Sequence, residues 1–459
     1  MPEKFDVIVI GAGQSGPSLV ERCAQEGLRV AMIERKFFGG TCVNTGCVPT
    51  KTYVASAYVA HMARRAAEYG VDTGGPVIVD MKRVKARKDQ IIEKSRSGVR
   101  RWMETMKNVT VFHDHARFVG ANKVTVAGKR LEAGKIIVNT GGRATIPDMP
   151  GLDGVSYFTN STLLDSEILP DHLLIVGGSY IGLEFAQAYR RFGAKVTVVE
   201  MSDRLIGRED ADVSNAVKSI LEGEGIEIRL NAKCLAVEKD GDGVAMNLGC
   251  SEGAPRVSGS HLLLAVGRRP NTDDLGLDEA GIETDERGYI TVDDQCRTNV
   301  GGIWAIGDVN GRGAFTHTSY NDFEIVAANL FDNDPRRISD RISCYGLFID
   351  PPLGRVGLSD AQVKEKGIKA LTAKRMMTSI GRARERGETL GFMKITVDAA
   401  NKKILGAALL GLNGDEVVHA VLDVMAAGLP YTAISRTMHI HPTVAEYLPT
   451  LLGELKPLE

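Results

Sequence analysis

Apolar residues near the N-terminus form short continuous runs that are separated by polar and glycine-rich segments. The first run, Asp6–Ile10, predicts a buried strand, followed by a glycine-rich turn and a helix to about Gln25. The next run, Arg29–Ile33, predicts a second strand. A strand, a helix and a second buried strand in this order form a βαβ unit with parallel strands.

The same order of elements returns further along the chain. Leu173–Val176 predicts a buried strand, a helix follows to about Phe192, and Lys195–Val199 predicts the next strand. Each copy therefore predicts a doubly wound parallel sheet. The segment after residue 337 alternates strand-like runs with helices and has no such glycine-rich turn. We predict an α/β fold with two Rossmann-like dinucleotide-binding domains and a C-terminal α+β domain.

The first predicted strand-to-helix turn carries glycines at fixed places. Gly11, Gly13 and Gly16 form the pattern, and Glu34 ends the second strand. The first glycine permits the tight turn, the second lets a pyrophosphate approach the backbone, and the third lets the helix pack on the strand. The helix N-terminus then faces the phosphate, and the acid can accept a hydrogen bond from a ribose hydroxyl. Two copies of this pattern predict two dinucleotide sites.

The second copy departs from the pattern at one position. Its turn, Gly177–Gly182, has Ser179 in place of the middle glycine, and Glu200 ends the second strand. The serine side chain stands at the closest approach to phosphate, so the nucleotide binds less closely or gains a hydroxyl contact. The Glu200 carboxylate repels a 2′-phosphate, which favours NADH over NADPH. Arg204 and Arg208 follow closely and leave NADPH possible.

Length and charge narrow the possible functions. The chain has 459 residues, which suggests about three domains. Its formal net charge of −2 disfavours binding to nucleic acid or to a membrane surface, and no apolar run approaches the ~18 residues of a membrane span. The charged stretch Lys82–Arg101 is expected to be a solvated helix face. The N-terminus shows no secretory signal, which predicts an intracellular, cytoplasmic protein.

Two of the seven cysteines, Cys42 and Cys47, lie close together. In a reducing compartment such a pair indicates redox or metal chemistry, and Asn44 and Gly46 suit a turn that brings the two together. Zinc needs two more ligands, and no second cysteine pair exists. A redox dithiol is therefore favoured over a metal site or a structural bridge. The scattered cysteines are expected to be small core residues: Cys23, Cys234, Cys250, Cys296 and Cys344.

With these motifs, the chain closely resembles the pyridine nucleotide-disulfide oxidoreductases, the family of dihydrolipoamide dehydrogenase, glutathione reductase and mercuric reductase. The resemblance covers nearly the whole chain, and its most specific parts are the cysteine block and a terminal His-Pro-Thr motif. Besides the first glycine turn, it is carried by the segments Cys42–Lys51, Gly177–Glu184, Gly267–Asn271, Trp304–Asp308 and His441–Glu446.

The resemblance implies FAD and a nicotinamide nucleotide as cofactors. The first glycine turn with Glu34 would hold the adenosine half of FAD, and Asp308 would bind the flavin chain. The other implied cofactor-binding positions are Gly40, Thr41, Thr140, Gly141, Gly177, Gly182, Glu200, Gly267 and Gly307.

Catalytic roles are implied in the same way. Cys47, nearer the flavin, would form the charge-transfer thiolate, and Cys42 would attack the substrate. Lys51 would sit by the reactive flavin nitrogen, paired with Glu184.

The resemblance also implies a homodimer, because His441 would serve the thiols of the partner subunit. A histidine suits proton transfer to a leaving thiol, and a carboxylate such as Glu446 orients the ring and stabilises its charged form. His439 and His441 could instead begin a metal site, but no further ligand cluster is evident, so no metal is expected. The implied domains are 1–150 with 271–337 for FAD, 151–270 for NAD(P), and 338–459 for dimerisation.

Positions that distinguish members of the family point in two directions. The His441–Thr443 motif resembles dihydrolipoamide dehydrogenase and glutathione reductase, whereas Pro49–Lys51 and Ser179 resemble the mercuric-reductase branch. The stretch Phe315–Asp322 lacks the pattern usual in lipoamide dehydrogenases. The first hypothesis is an NADH-dependent reductase of a small-molecule or lipoyl disulfide. The alternative is a mercuric-reductase-like reductase of a non-disulfide acceptor, such as a metal ion, a quinone or a reactive oxidant.

Overall fold

A mixed sheet, whose strands between residues 117 and 138 pair antiparallel, a parallel sheet, a C-terminal antiparallel sheet and connecting helices make up the computed structural model, which describes residues 1–249 and 254–459. The strands are β1 Glu3–Ile10, β2 Val30–Ile33, β3 Val109–Phe112, β4 Arg117–Gly120, β5 Lys123–Val126, β6 Lys129–Val138, β7 Gly142–Ala144, β8 His172–Val176, β9 Lys195–Val199, β10 Glu227–Arg229, β11 Lys233–Asp240, β12 Gly243–Gly249, β13 Arg256–Gly259, β14 His261–Leu264, β15 Arg268–Pro270, β16 Ile303–Ala305, β17 Cys344–Leu347, β18 Leu353–Gly357, β19 Ala370–Met376, β20 Phe392–Asp398, β21 Ile404–Leu410 and β22 Lys456–Pro457. The α-helices are α1 Gly16–Gln25, α2 Gly40–Asn44, α3 Cys47–Arg64, α4 Met81–Thr105, α5 Asn160–Leu164, α6 Tyr180–Phe192, α7 Ala211–Gly223, α8 Leu277–Ala280, α9 Thr316–Ala327, α10 Asp360–Glu365, α11 Gly381–Glu385, α12 Gly414–Ala426, α13 Thr432–Ser435 and α14 Tyr447–Leu452.

The first sheet begins at the N-terminus and is completed by a strand from much later in the chain. Its order is β3-β2-β1-β6-β5-β4, with β16 paired to β6. Strand β1 runs parallel to both β2 and β6, and β16 joins β6 in parallel with Ile303 opposite Ile136. The run Val7–Ile10 is buried throughout, as expected of a central parallel strand that is covered on both faces.

The second copy of the pattern forms its own parallel sheet, in the order β10-β9-β8-β14. Strand β9 has the predicted bounds, and β8 begins one residue earlier than predicted, at His172. Helix α6 ends at the predicted residue, Phe192. The antiparallel strands β11, β12 and β13 form a small separate sheet beside this unit.

The C-terminal part of the chain is built on an antiparallel sheet in the order β17-β18-β21-β20-β19-β22. Residues of α12, α13 and α14, among them Val421, Ile434 and Leu448, are buried in one apolar cluster with residues of this sheet. The predicted α/β class, with two parallel-sheet units and a C-terminal α+β unit, is confirmed.

The predicted charged helix face belongs to α4, whose buried residues are Met81, Lys88, Ile92 and Met103. The buried ammonium of Lys88 donates to the Leu164 carbonyl at 2.7 Å and pairs with the Asp89 carboxylate at 2.8 Å, which together compensate its burial. Within residues 1–249 and 254–459, none of the helices combines the length and apolar character that a bilayer crossing requires.

The scattered cysteines are only partly core residues. Cys23 and Cys296 are fully buried, as predicted, whereas Cys344 is half-buried. The side chain of Cys234 and the whole of Cys250 lie outside the described part of the chain.

Candidate active site

A continuous cavity of about 2410 Å³ connects the two glycine turns and passes the thiols. Pockets for one small molecule usually measure ~300–1,000 Å³, so this cavity has room for more than one nucleotide-sized molecule. The predicted site residues in its wall are Gly11, Gly13, Glu34, Gly40, Thr41, Cys42, Cys47, Lys51, Thr140, Gly141, Gly177, Glu184, Glu200, Gly267 and Asp308.

The first glycine of each turn lies against the end of a neighbouring strand. Gly11 has a φ of +107°, and a Cβ there would come within 2.3 Å of the Asn139 carbonyl oxygen. Gly177 has a φ of +115°, and its Cβ would come within 2.4 Å of the Ala265 carbonyl oxygen. Both the backbone angle and the available space therefore require glycine at these positions.

The third glycine of each turn lies behind the cavity wall. A Cβ on Gly16 would stand 2.3 Å from the Gly11 carbonyl oxygen, and one on Gly182 would stand 2.1 Å from that of Gly177. These residues let the helix cross the turn closely, which is the mechanical role predicted for them. Gly307 is also outside the wall, and its N–H donates to a buried carboxylate, that of Asp322, at 2.7 Å.

The acids that end the two β-α-β patterns brace their own turns. The Glu34 carboxylate accepts from the Ala12 N–H at 2.9 Å, and the Glu200 carboxylate accepts from the Gly178 N–H at 2.6 Å. Each also accepts a backbone N–H two residues further along the chain. The duplication seen in the sequence thus extends to matching hydrogen bonds, and both carboxylates remain in the cavity wall.

The two cysteines lie on consecutive helices that are joined by a tight turn. Cys42 lies within α2, and Cys47 begins α3, an 18-residue helix. Asn44 holds the turn, because its amide donates to the Phe38 and Gly40 carbonyls at 2.9 and 2.8 Å. The N-terminus of a helix favours negative charge, so α3 stabilises a thiolate at Cys47.

The thiols differ in acidity. The hydrogen bond from Cys42 lowers the pKa of Cys47 to about 6, against the effect of burial, with smaller contributions from Thr316 and Lys51. The same hydrogen bond, together with burial, raises the pKa of Cys42. The Thr316 hydroxyl lies 3.2 Å from the Cys47 sulfur. Cys47 is therefore the thiolate of the pair at neutral pH, and Cys42 keeps its proton.

Lys51 and Glu184 form an ion pair beside the thiols. The Lys51 ammonium lies 2.6 Å from the Glu184 carboxylate, whose side chain is only 5% exposed. The other Glu184 oxygen accepts from the Phe348 N–H at 3.0 Å. Lys51 follows Cys47 by about one helical turn on α3, so its positive charge is held near the thiolate.

Asp308 lies on a short 3₁₀ turn, Gly307–Asn310, in the cavity wall. Burial raises the pKa of Asp308, and the Arg268 guanidinium, 3.4 Å away, opposes that effect. Arg268 follows Gly267 directly and also donates to the Thr41 hydroxyl at 3.3 Å. The arrangement places one carboxylate and one guanidinium at the same part of the wall.

His441 lies outside the cavity wall of its own chain. Its Nδ1 is 3.0 Å from the Glu446 carboxylate, and its side chain is 81% exposed. His439 contacts the Thr437 carbonyl through its own Nδ1. In the part of the chain that the structure describes, no group of three His, Cys, Asp or Glu side chains is placed to hold a metal ion.

Sequence reasoning missed several residues that support the site. Asn139 donates to the Gly11 carbonyl at 3.1 Å and accepts from Ser15 at 2.9 Å, which braces the first turn. Thr316 contacts Cys47, although the sequence drew attention only to the unusual stretch that contains it. No periodicity marks such residues, because each acts on a distant part of the chain.

Two family models match most of the chain. Residues 5–322 match the model described as pyridine nucleotide-disulphide oxidoreductase. Residues 344–452 match the model of the dimerisation domain of the same proteins.

Individual relatives are similar over nearly their whole length. The chain is 34% identical to the probable pyridine nucleotide-disulfide oxidoreductase RclA of Escherichia coli (strain K12), with 99% of this chain and 100% of that protein covered. It is 33% identical to mercuric reductase of Streptomyces lividans, with coverages of 97% and 94%. It is 34% identical to dihydrolipoyl dehydrogenase of Chlorobaculum parvum, with coverages of 96% and 95%.

Solved structures agree with these similarities. A Cu(II) complex of RclA from Escherichia coli, named as an HOCl-induced flavoprotein disulfide reductase, superimposes with a TM-score of 0.90 at 34% identity. The superposition covers 98% of this chain and 99% of that one.

The unequal thiols predict unequal spectra. In Cys42→Ser, Cys47 remains as a free thiolate, so the oxidised protein should show a long-wavelength thiolate-to-flavin charge-transfer band without added reductant. Cys47→Ser should lack that band, and both variants should retain flavin. Absorption spectra of the purified proteins check this, and the opposite pattern would mean that the two roles are exchanged.

The pKa of Cys47, about 6, predicts that the charge-transfer band of the reduced protein is present at neutral pH and fades as the pH falls through that value. Thr316→Val removes a hydrogen bond to the thiolate, so the midpoint should rise by about 0.5–1 pH unit. Thr316→Ser keeps the hydroxyl and serves as the matched control. An unchanged midpoint in the valine variant would show that Thr316 does not stabilise the thiolate.

Proposed function

The chain belongs to the pyridine nucleotide-disulphide oxidoreductase family, and on that premise we propose that it oxidises NADH and reduces a disulfide substrate through Cys42 and Cys47. The family uses FAD and a pyridine nucleotide. The observation that carries the proposal is the thiol–thiolate pair in the wall of a cavity that also contains both glycine turns.

The residues of the cavity fit these cofactors. A Cβ on Gly141 or on Gly267 would meet no atom within 4 Å, so a side chain there would project into the cavity that the two glycines line. The first turn and Glu34 would hold the adenosine half of FAD, and Asp308 would bind the flavin chain. Bound FAD supplies the capacity to accept hydride from the nicotinamide and to pass two electrons to the cysteines.

The reduced cysteines then carry out thiol–disulfide exchange. The Cys42 sulfur attacks one sulfur of the substrate disulfide, forms a mixed disulfide and releases the first substrate thiol. Cys47 attacks the Cys42 sulfur, closes the Cys42–Cys47 disulfide and releases the second substrate thiol. Two electrons leave the cysteine pair. The first leaving thiolate takes the proton that Cys42 gave up, and the second takes a proton from solvent.

Proton transfer is assigned to His441 and Glu446. The pKa of Cys42 is raised by its hydrogen bond to Cys47 and by burial, so its attack requires a base to take the proton. The Glu446 carboxylate lies 3.0 Å from the His441 Nδ1 and orients the ring. Because His441 is exposed and outside its own cavity wall, we assign this role to the partner's His441 in a homodimer. The match to the dimerisation domain supports that assembly.

NADH is the proposed electron donor. The Glu200 carboxylate lies in the cavity wall beside the second turn, where it would repel a 2′-phosphate. Of the two nearby arginines, Arg208 lines the cavity, whereas the Arg204 guanidinium lies 3.5 Å from Asp203. One carboxylate and one arginine thus lie where the nucleotide would bind, and the carboxylate is held by two backbone N–H groups.

Cu(II) is a second candidate acceptor, and the Cu(II) complex of the related RclA is the observation that favours it. A reduced cysteine pair can give one electron to each of two Cu(II) ions, which forms a disulfide and two Cu(I) ions and releases one proton, that of Cys42, because Cys47 is already a thiolate. This reaction needs no proton donor for a leaving thiol.

The donor preference can be measured by steady-state kinetics. We expect kcat/KM for NADH to exceed that for NADPH by about tenfold or more, which corresponds to roughly 1.4 kcal/mol of repulsion at Glu200. Glu200→Gln should reduce the ratio. Glu222→Gln removes a charge from helix α7 of the same unit, where Glu222 pairs with Lys218 outside the cavity wall, and should leave the ratio unchanged. A higher kcat/KM for NADPH in the wild type would refute the preference.

His441→Ala distinguishes the two acceptors. If His441 protonates leaving thiols, the variant should slow disulfide reduction by about 10²- to 10⁴-fold, while flavin reduction by NADH changes little. Reduction of Cu(II) should persist, because it has no thiol leaving group. Stopped-flow measurement of each half-reaction, with lipoamide or Cu(II) as acceptor, gives these rates.

His439→Ala is the matched control, since it removes a neighbouring histidine whose Nδ1 contacts the Thr437 carbonyl instead of a carboxylate. It should leave both rates near those of the wild type. Wild-type disulfide turnover in His441→Ala would refute the proton-transfer role of His441. Reduction of Cu(II) but not of disulfide by the wild-type protein would refute the disulfide-reductase assignment and favour a directly reduced acceptor.

A further inference from the structure

Tyr345 stands where three parts of the molecule meet. It lies on β17, and its hydroxyl donates to the Glu209 carboxylate at 2.6 Å. Its ring is nearly parallel to that of Phe315, at 5.7 Å and 11°, and receives the ring of Tyr180 edge-on at 5.6 Å and 82°. Tyr180 comes directly after Ser179 in the second glycine turn, so Tyr345 contacts both segments that flank the predicted nucleotide site and one segment near the thiols.

Glu209 fixes the end of the turn that begins at Glu200. Arg208, next to it, lines the cavity, whereas the Glu209 side chain is fully buried. The Arg355 guanidinium lies 3.7 Å from one carboxylate oxygen, and that oxygen has no hydrogen-bond partner among the described residues. Because a buried carboxylate with so few partners is costly, the hydrogen bond from Tyr345 strongly restricts its position.

Phe315 links Tyr345 to the segment that contacts the thiols. Its ring is stacked between Tyr345 and His317, the latter at 5.3 Å and 9°. The next residue is Thr316, whose hydroxyl lies 3.2 Å from the Cys47 sulfur. Since the two residues share a peptide bond, the stacked ring limits where that hydroxyl can lie.

We propose that Tyr345 is a positioning residue that ties the nucleotide-binding turn at Glu209 to the Thr316 segment, so that bound nucleotide and the Cys47 thiolate affect each other. The proposal rests on the proposed function, since it takes nucleotide at the second turn and Cys47 as the thiolate. Such coupling is reciprocal. The factor by which ionisation of Cys47 changes the affinity for nucleotide equals the factor by which bound nucleotide changes the ionisation constant of Cys47. Tyr345 acts through Glu209 and Thr316 rather than on the reacting atoms.

A double-mutant cycle in the FAD-loaded protein tests this coupling. The Kd for NAD⁺ is measured from the flavin absorbance in Cys42→Ser, which keeps the thiolate, and in Cys42→Ser/Cys47→Ser, which lacks it. The two values should differ by about fivefold. In the Tyr345→Phe background, which keeps the ring stack but loses the hydrogen bond, the difference should fall below about twofold. Direct attraction between nucleotide and thiolate is present in both backgrounds and cancels in the comparison.

Tyr58→Phe is the matched control, because it removes another tyrosine–glutamate hydrogen bond of 2.6 Å, to Glu388, outside the cavity wall. It should leave the fivefold difference intact. If Tyr345→Phe does not retain flavin, Glu209→Leu breaks the same contact from its other side and replaces it in the cycle.

The outcomes separate this proposal from the proposed function. The positioning role alone would be overturned if the ratio of the two Kd values for NAD⁺ is the same with and without Tyr345→Phe. It would also be overturned if the Kd for NAD⁺ is the same with and without the Cys47 thiolate. Absence of NAD⁺ binding, or of the charge-transfer band in Cys42→Ser, would overturn the proposed function together with it.

Discussion

Glu184 holds three parts of the molecule around the thiols. Its carboxylate accepts from the Lys51 ammonium at 2.6 Å and from the Phe348 N–H at 3.0 Å. Lys51 belongs to the helix that begins at Cys47, Glu184 to the helix after the second glycine turn, and Phe348 comes directly after the first strand of the C-terminal sheet. Because the carboxylate is buried, loss of a partner would leave a charge without compensation. The placement of the thiolate relative to both other units depends on this residue.

Around that contact, the two parallel-sheet units use the same backbone geometry. In each, the first glycine lies close to the end of a neighbouring strand. The glutamate at the end of the second strand accepts a hydrogen bond from a backbone N–H of the glycine turn. Beyond the acid, the two units diverge. After Glu34 the chain forms the cysteine block, whereas after Glu200 it forms a turn that ends at the buried Glu209. The same scaffold therefore carries the thiols in the first unit and the turn from Glu200 to Glu209 in the second.

Local features of this scaffold were predictable, and distant contacts were not. Strand β9 and the end of α6 can be predicted from apolar periodicity, which is encoded within a few residues. Thr316 and Cys47 are separated by 269 positions, and Asn139 and Gly11 by 128. Such pairs meet only once the sheets are assembled, so no local pattern marks them. The roles given to Lys51 and Glu184 came from family resemblance rather than from periodicity.

The histidines explain why the proposed chemistry needs a second copy of the chain. His317 lines the same cavity as the thiols, but its Nε2 is held by the Cys344 carbonyl at 2.7 Å, and burial lowers its pKa. It is therefore poorly suited to hold a proton. His441 differs, because its side chain is exposed and the Glu446 carboxylate holds its Nδ1, which leaves Nε2 for proton exchange. On the proposed mechanism, the base that Cys42 requires comes from the partner's His441, so dimer formation completes the site for disulfide exchange.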